Sequence, residues 1–415
     1  MVQQRKIKAH SLTGRITSGL LRDSFKAVKR NRGAAGIDKV SIQRFEANLE
    51  ENLQALLREL KQGTFQPLPL RRAFIPKNET EVRPLGIPAV KDRVAQEVVR
   101  RLLSPIFEPL FHDASYGFRP GRNCHQALEE ALRLHAEGFE FVLDADIKGF
   151  FDNLSHRIIL KAVAAEVADG NILRLVERFL TSGVMENGVR LPTNIGTPQG
   201  GVISPLLANI VLNHLDWQLE KAGLRFVRYA DDFVVLCPSR RQAEEALALV
   251  TQVLENGLGL QLSQEKTKVT SYGKGYAFLG FHLSRRSRRM RPKSVKKFKD
   301  KIRELTCRSH NFDGEVIKRL NRVIRGTAQY FATGFFTARE AFHKLDSWIR
   351  MRLRCMQTKR KCLEDNRKIR VKAFRRLGLL TLETFCDAAL SKRARELPAR
   401  GHLLGVARCV KDARR

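Results

Sequence analysis

The 415-residue chain carries 76 Lys and Arg against 43 Asp and Glu, a formal charge of +33. A surplus of that size points to a polyanionic partner, nucleic acid before an anionic membrane surface, and speaks against a chain made basic only for solubility, which acidic residues serve better. No run approaches the roughly 18 apolar residues of a membrane span, the N-terminus lacks an apolar signal core, and the seven scattered cysteines include no Cys-x-x-Cys pair. The expectation is a cytoplasmic protein with reduced thiols, neither membrane-bound, disulfide-framed nor zinc-built.

In chain order, residues 1 to 66 read as mainly helical, because Leu53, Leu56, Leu57 and Leu60 recur at helix spacing after a loop at Gly33-Ala34-Ala35-Gly36. Five prolines, from Pro67 to Pro88, then predict short strands joined by loops. From residue 141 the pattern changes. Phe141, Leu143, Ala145 and Ile147 alternate with Val142, Asp144 and Asp146, which predicts a strand with two carboxylates on one face. A second strand pattern spans Arg225 to Leu236, interrupted by Asp231 and Asp232, and helix-like segments lie between the two. After residue 285 strands are expected to give way to basic helices. Ser284 to His310 and Arg350 to Arg376 each hold twelve Lys or Arg and two acidic residues. The fold class expected is α+β, a carboxylate-bearing core followed by a basic helical appendage.

Nucleotidyl transfer at neutral pH calls for divalent cations, and hard Mg²⁺ prefers carboxylate oxygens. Asp146, Asp231 and Asp232 are candidates to hold two such ions. A bare Asp-Asp is more often a turn. Here Phe226-Val227 precede it and Phe233-Val234-Val235-Leu236 follow, so the acids sit in a core-like run where an unpaired carboxylate is costly unless a cation compensates.

Seven ordered landmarks carry a resemblance. They are Gly33-Ala34-Ala35-Gly36-Ile37-Asp38; Arg83-Pro84-Leu85-Gly86-Ile87-Pro88; Tyr116-Gly117-Phe118-Arg119-Pro120-Gly121-Arg122; Asp146 with Phe150-Phe151-Asp152; Gly196-Thr197-Pro198-Gln199-Gly200-Gly201 with Ser204-Pro205; Tyr229-Ala230-Asp231-Asp232; and Phe278-Leu279-Gly280-Phe281. Over roughly Gly33 to Trp348 the chain resembles the reverse transcriptases encoded by group II introns. The resemblance implies a right-hand polymerase: an N-terminal extension (1–70), fingers (71–140), palm (141–285), a helical, maturase-like thumb (286–360), and a basic C-terminal region (361–415), a candidate DNA-binding segment. It implies Asp146 and Asp231 as the main ligands of two Mg²⁺ ions, Mn²⁺ substituting, with Asp232 in support. Asp144 competes for the first place, but the aromatic residue five positions on, Phe151, favours Asp146 and would exclude a 2′-hydroxyl. Lys77, Arg83, Gln199 and Gly200 would contact the deoxynucleoside triphosphate, and Arg119 and Arg122 the template. Lys266 is a candidate general acid for the departing pyrophosphate.

Implied partners are an RNA template, intron RNA and a DNA primer or target. Two departures stand out. Thr327 follows Gly326 where the family commonly has Trp, and the last 55 residues lack a His/Asn-type nuclease pattern, so a compact enzyme without an endonuclease is expected. Three readings stay open: an intron-associated reverse transcriptase, a maturase with secondary polymerase activity, and an intron-independent enzyme of DNA repair or antiphage defence.

Overall fold

The computed structural model describes residues 8–76, 82–197 and 200–396. The chain divides into one unit that ends at Ser271 and a second that begins at Tyr272.

The first unit opens with α1 (Ser18–Arg30), α2 (Ile42–Ala47) and α3 (Leu49–Gln62). The leucine repeat is the buried stripe of α3, contributed by Leu53, Leu56 and Leu60. The proline-rich stretch forms the antiparallel pair β1 (Leu70–Pro76) and β2 (Val82–Ile87). Next come α4 (Val90–Phe107), α5 (Cys124–Ala136), β3 (Phe141–Asp146), α6 (Phe150–Asn153), α7 (His156–Ala164) and α8 (Gly170–Leu180). Two short strands unforeseen in the sequence, β4 (Val184–Glu186) and β5 (Val189–Leu191), extend the first sheet to the order β2-β1-β4-β5.

The predicted strand from Arg225 to Leu236 is a hairpin of two, β6 (Arg225–Tyr229) and β7 (Asp232–Cys237), preceded by α9 (Ser204–Lys221). After α10 (Arg240–Gln252), β8 (Lys268–Ser271) joins β3 and this hairpin in an antiparallel sheet of order β6-β7-β3-β8. Both faces of this sheet are covered along most of its length. Leu143, Ala145, Phe233 and Val235 belong to the main core with residues of α9 and α10. Val142, Val227, Val234 and Leu236 on the opposite face are also buried. Burial on both sides makes the β6–β7 sequence largely apolar before and after Asp231-Asp232, so it reads as one strand interrupted by two acids and the turn is concealed.

The second unit has a three-stranded sheet, β9 (Tyr276–Phe278), β10 (Phe281–Leu283) and β11 (Arg288–Met290), so strands persist past residue 285. Helices α11 (Pro292–Leu305), α12 (Gly314–Phe331), α13 (Arg339–Thr358), α14 (Asp365–Lys368), α15 (Val371–Arg376) and α16 (Leu382–Glu396) follow. Phe281 gathers Tyr330, Phe331 and Phe335 around it. Asp346 of α13 accepts the backbone N–H groups of Leu382 and Glu383 at 2.9 and 3.1 Å, capping α16.

In the first unit Asp169 does similar work for α8. Its carboxylate accepts the N–H groups of Asn171 and Ile172 and both the N–H and the hydroxyl of Thr13, tying the N-terminal segment to the core. Burial pushes the Asp169 carboxyl up, but these hydrogen bonds outweigh it and hold the group below its ordinary value. The stability gained is complete above the unfolded-state value, about 4, and is lost as pH falls through the folded one. Asp169→Ala is expected to cost about 1–2 kcal/mol at neutral pH. In urea unfolding monitored at pH 7 and at pH 3, the gap between variant and parent should narrow at the lower pH.

Candidate active site

The β6–β7 hairpin closes through Ala230 and Asp231, with Tyr229 paired to Asp232 across it. Ala230 has φ +60°, a left-handed conformation that a residue with a Cβ adopts only when its surroundings impose it. The surroundings are specific. The Ala114–Gly117 segment pairs with the hairpin's edge, Tyr116 N–H donating to Arg228 O at 2.8 Å and Arg228 N–H to Ala114 O at 2.9 Å. Gly117 then passes so close that a Cβ on it would lie 2.3 Å from the Ala230 nitrogen, so only glycine fits there. This contact explains why Tyr116-Gly117 and Tyr229-Ala230 are both landmarks.

Asp146 ends β3, directly across the ladder from Asp232. Its backbone is anchored by Ser263 N–H, which donates to Asp146 O at 2.8 Å, and its carboxylate accepts from Lys266 Nζ at 2.9 Å. Asp231 lies in the same cleft. Burial raises its pKa, the Asp146 charge raises it further, and Arg83 and Arg228 oppose the shift. Asp144 shares that face of β3 but stands 3.7 Å from Lys268 and does not line the cleft. Asp146 and Asp231 line a cleft of about 950 Å³, whereas Asp232, expected in support, is exposed beside it.

Among the described residues no three His, Cys, Asp or Glu side chains are gathered as a metal cage. Mg²⁺ rarely needs one, since one or two carboxylates plus substrate phosphates usually hold it. The Asp146–Asp231 pair fits that chemistry: two carboxylates repel across one cleft, and a lysine ammonium already sits on one of them. A divalent cation would relieve the charge that burial makes costly.

Around these acids the cleft walls come from several elements. Arg83 of β2 borders it, and Phe151 does so from α6, its carbonyl accepting from Thr197 N–H at 2.7 Å. Gly200 has φ +115°, and a Cβ on it would lie 2.7 Å from the Gly86 carbonyl. Its close approach is thus to the backbone of β2. Lys77 and Gln199 lie outside the described residues.

The two template arginines fare differently. Arg119 is buried. Its guanidinium bonds Glu108 Oε1 at 2.8 Å and the carbonyls of His112 and Ser115 at 2.7 and 2.9 Å, and lies over the Phe111 ring. It holds the loop together and is not a surface contact, which corrects the expectation. Arg122 pairs with the exposed Asp113 at 2.6 Å and does not line the cleft. The loop residue that does is Phe118, 57% exposed at φ +58°. The sequence reading also passed over Arg100. It lines the cleft from α4 and donates twice to the buried Glu97, at 2.6 and 2.7 Å, while Arg101 holds the same carboxylate. The Glu97-Arg100-Arg101 spacing on a helix was the available signal.

The fold and this acid-floored cleft define a nucleotidyl-transfer enzyme. The sequence model described as reverse transcriptase (RNA-dependent DNA polymerase) matches residues 75–283, and the chain belongs to that family. It has the right-hand polymerase fold and is an RNA-directed DNA polymerase of the group II intron-encoded type. The model of the group II intron maturase-specific domain matches residues 295–374, running past Trp348, where the resemblance read from the motifs ends. Protein YkfC of Escherichia coli is 35% identical, the match covering 61% of this chain and 77% of YkfC. The group II intron-encoded protein LtrA of Lactococcus lactis is 33% identical, over 56% of this chain and 50% of LtrA. A 91 kDa protein in the cob intron of Schizosaccharomyces pombe is 30% identical over 56% of this chain and 36% of its own length. The chain thus spans about half of LtrA. Among the described residues no helix is long and apolar enough to cross a membrane.

The two arginines of the loop give a direct check. Arg119→Ala leaves the half-buried Glu108 carboxylate and the carbonyls of His112 and Ser115 without their donor and is expected to cost about 2 kcal/mol. Arg122→Ala should cost under about 1 kcal/mol, because its pair is exposed. Denaturant midpoints of the two variants measure the difference.

Proposed function

We propose that the chain copies RNA into DNA in the cleft floored by Asp146 and Asp231, and that it binds group II intron RNA to assist splicing and mobility. The observation that carries the first part is the convergence of those two carboxylates, one from the end of β3 and one from the β6–β7 turn, in a cleft also bordered by Arg83 and Phe151. Asp146 and Asp231 would hold the divalent ions, Mg²⁺ or Mn²⁺, with Asp232 in support. When bound, these ions neutralise phosphate charge and activate the attacking hydroxyl.

The chain's own residues supply the rest. Arg83, and Lys77 on the resemblance, offer charge-assisted bonds to the triphosphate, which gains charge during transfer. Phe151 would clash with a 2′-hydroxyl and so select deoxynucleotides, and Gly200, with Gln199 on the resemblance, would contact the incoming nucleotide. Phe118 presents an aromatic face to a base. Lys266 lies at the cleft with its ammonium on Asp146, and protonating pyrophosphate would require it to release that carboxylate. In this reading residues 71–140 act as fingers, 141–285 as palm and 286–360 as thumb, with 361–415 serving DNA.

A splicing role is favoured by the maturase-specific match and by the concentration of Lys and Arg in the same region. Phosphate neutralisation there would make RNA binding fall steeply with salt.

Primer extension on an RNA template with Mg²⁺ tests the proposal. Removing a metal carboxylate forfeits several kcal/mol of charge stabilisation, so Asp231→Ala should lower cDNA synthesis about a thousandfold while intron RNA binding persists. Wild-type protein that promotes splicing yet makes no cDNA would leave only the maturase role. Asp231→Ala with normal synthesis would overturn the site.

A further inference from the structure

A polar network behind the catalytic hairpin takes no part in the chemistry above. Arg228 and Asp216 are both fully buried, and Asn209 nearly so. Arg228 Nε and Nη2 donate to the two carboxylate oxygens of Asp216, at 2.7 and 2.5 Å. Its Nη1 donates to Asn209 Oδ1 at 2.9 Å and to the carbonyl of Ala230 at 3.0 Å. Asn209 Nδ2 in turn donates to Gly117 O at 2.8 Å. The network therefore grips the turn from two sides, through the Ala230 carbonyl and through the glycine wedged against it.

Stability alone does not account for this arrangement. A buried ion pair commonly gains nothing over well-packed apolar residues of similar volume, because desolvation offsets the attraction. What the fork supplies is direction. The peptide between Ala230 and Asp231 is planar, so holding its carbonyl also sets its N–H, on the opposite edge. That N–H belongs to Asp231, so the same plane fixes where the Asp231 Cα stands at the cleft. A line of contacts thus runs from Asp216 through Arg228 to the Ala230–Asp231 peptide that carries the carboxylate.

We infer that Arg228, aligned by Asp216 and Asn209, is a positioning residue: it fixes the Ala230–Asp231 peptide plane and thereby orients the Asp231 carboxylate for a divalent cation. The inference rests on the reading that Asp231 is a metal ligand. Loss of outer contacts that orient a ligand typically weakens metal affinity 10–100-fold. Lysine at position 228 can still pair with Asp216 but lacks the fork that reaches Asn209 and Ala230 together. An apolar pair, Asp216→Leu with Arg228→Met, removes the brace without leaving a buried charge.

The test is Mn²⁺ binding to the full-length protein, followed by electron paramagnetic resonance well below each variant's thermal midpoint. Asp231→Ala serves as the marker for the site. Arg228→Lys, and the apolar double variant at near-parental stability, are expected to bind Mn²⁺ at least about tenfold more weakly. A folded Arg228→Lys protein or double variant with parental Mn²⁺ affinity, while Asp231→Ala has lost the site, would overturn the inference and leave the metal reading intact. Parental affinity in Asp231→Ala itself would remove the metal reading and the inference with it.

Discussion

The register between β3 and β7 sets Asp146 across from Asp232 and brings the end of β3 level with the hairpin turn that carries Asp231. Side chains alternate along a strand, so a slip of one residue would turn Asp146 into the core and Ala145 into the cleft. The surroundings forbid that slip. Leu143, Ala145, Phe233 and Val235 are committed to one buried face and Val142, Val234 and Leu236 to the other. Asp144 and Asp146 share the second face but lie towards its open end, where the hairpin turn and the Lys266 loop close around them. The cleft is a consequence of two-sided burial that stops one residue pair short of the strand end.

Electrostatics divides the labour within this frame. The chain as a whole is strongly positive, which draws a polyanion to its surface and raises association rates. At the floor of the cleft the sign reverses: two carboxylates face each other, and the structure tempers them with Lys266, Arg83 and the buried Arg228. A nucleic acid attracted by the outer field thus meets a local negative site that only a cation makes hospitable to phosphate. Glu97, itself buried, performs the converse service by holding the guanidinium of Arg100 at the cleft edge.

Much of this was legible in the residues, and the failures are instructive. The alternation from Phe141 to Ile147 reported β3 faithfully because one face ends in carboxylates. The β6–β7 run hid its turn because both faces are apolar, and the turn is made by Ala230 where a glycine or asparagine would have announced it. Arg119 and Arg122, three residues apart in one loop, looked alike, since a charged residue in a Gly/Pro loop gives no sign of burial. Phe118 lies between them and Gly117, and a lone aromatic reads as core by default. Arg228 was the neglected clue. A charged residue flanked by Phe226, Val227 and Tyr229 in a buried strand must find an equally buried partner, and Asp216, twelve positions earlier on α9, is that partner.

The account stands or falls on a divalent cation held between Asp146 and Asp231. Iron-mediated hydroxyl-radical cleavage probes it directly: Fe²⁺ is loaded in place of Mg²⁺, peroxide and ascorbate are added, and the cut sites are mapped by mass spectrometry. Two clusters of cuts are predicted, one next to Asp146 and one at Tyr229–Asp232, both suppressed by excess Mg²⁺. Cuts at only one of these strands, or at neither, would contradict a shared metal site.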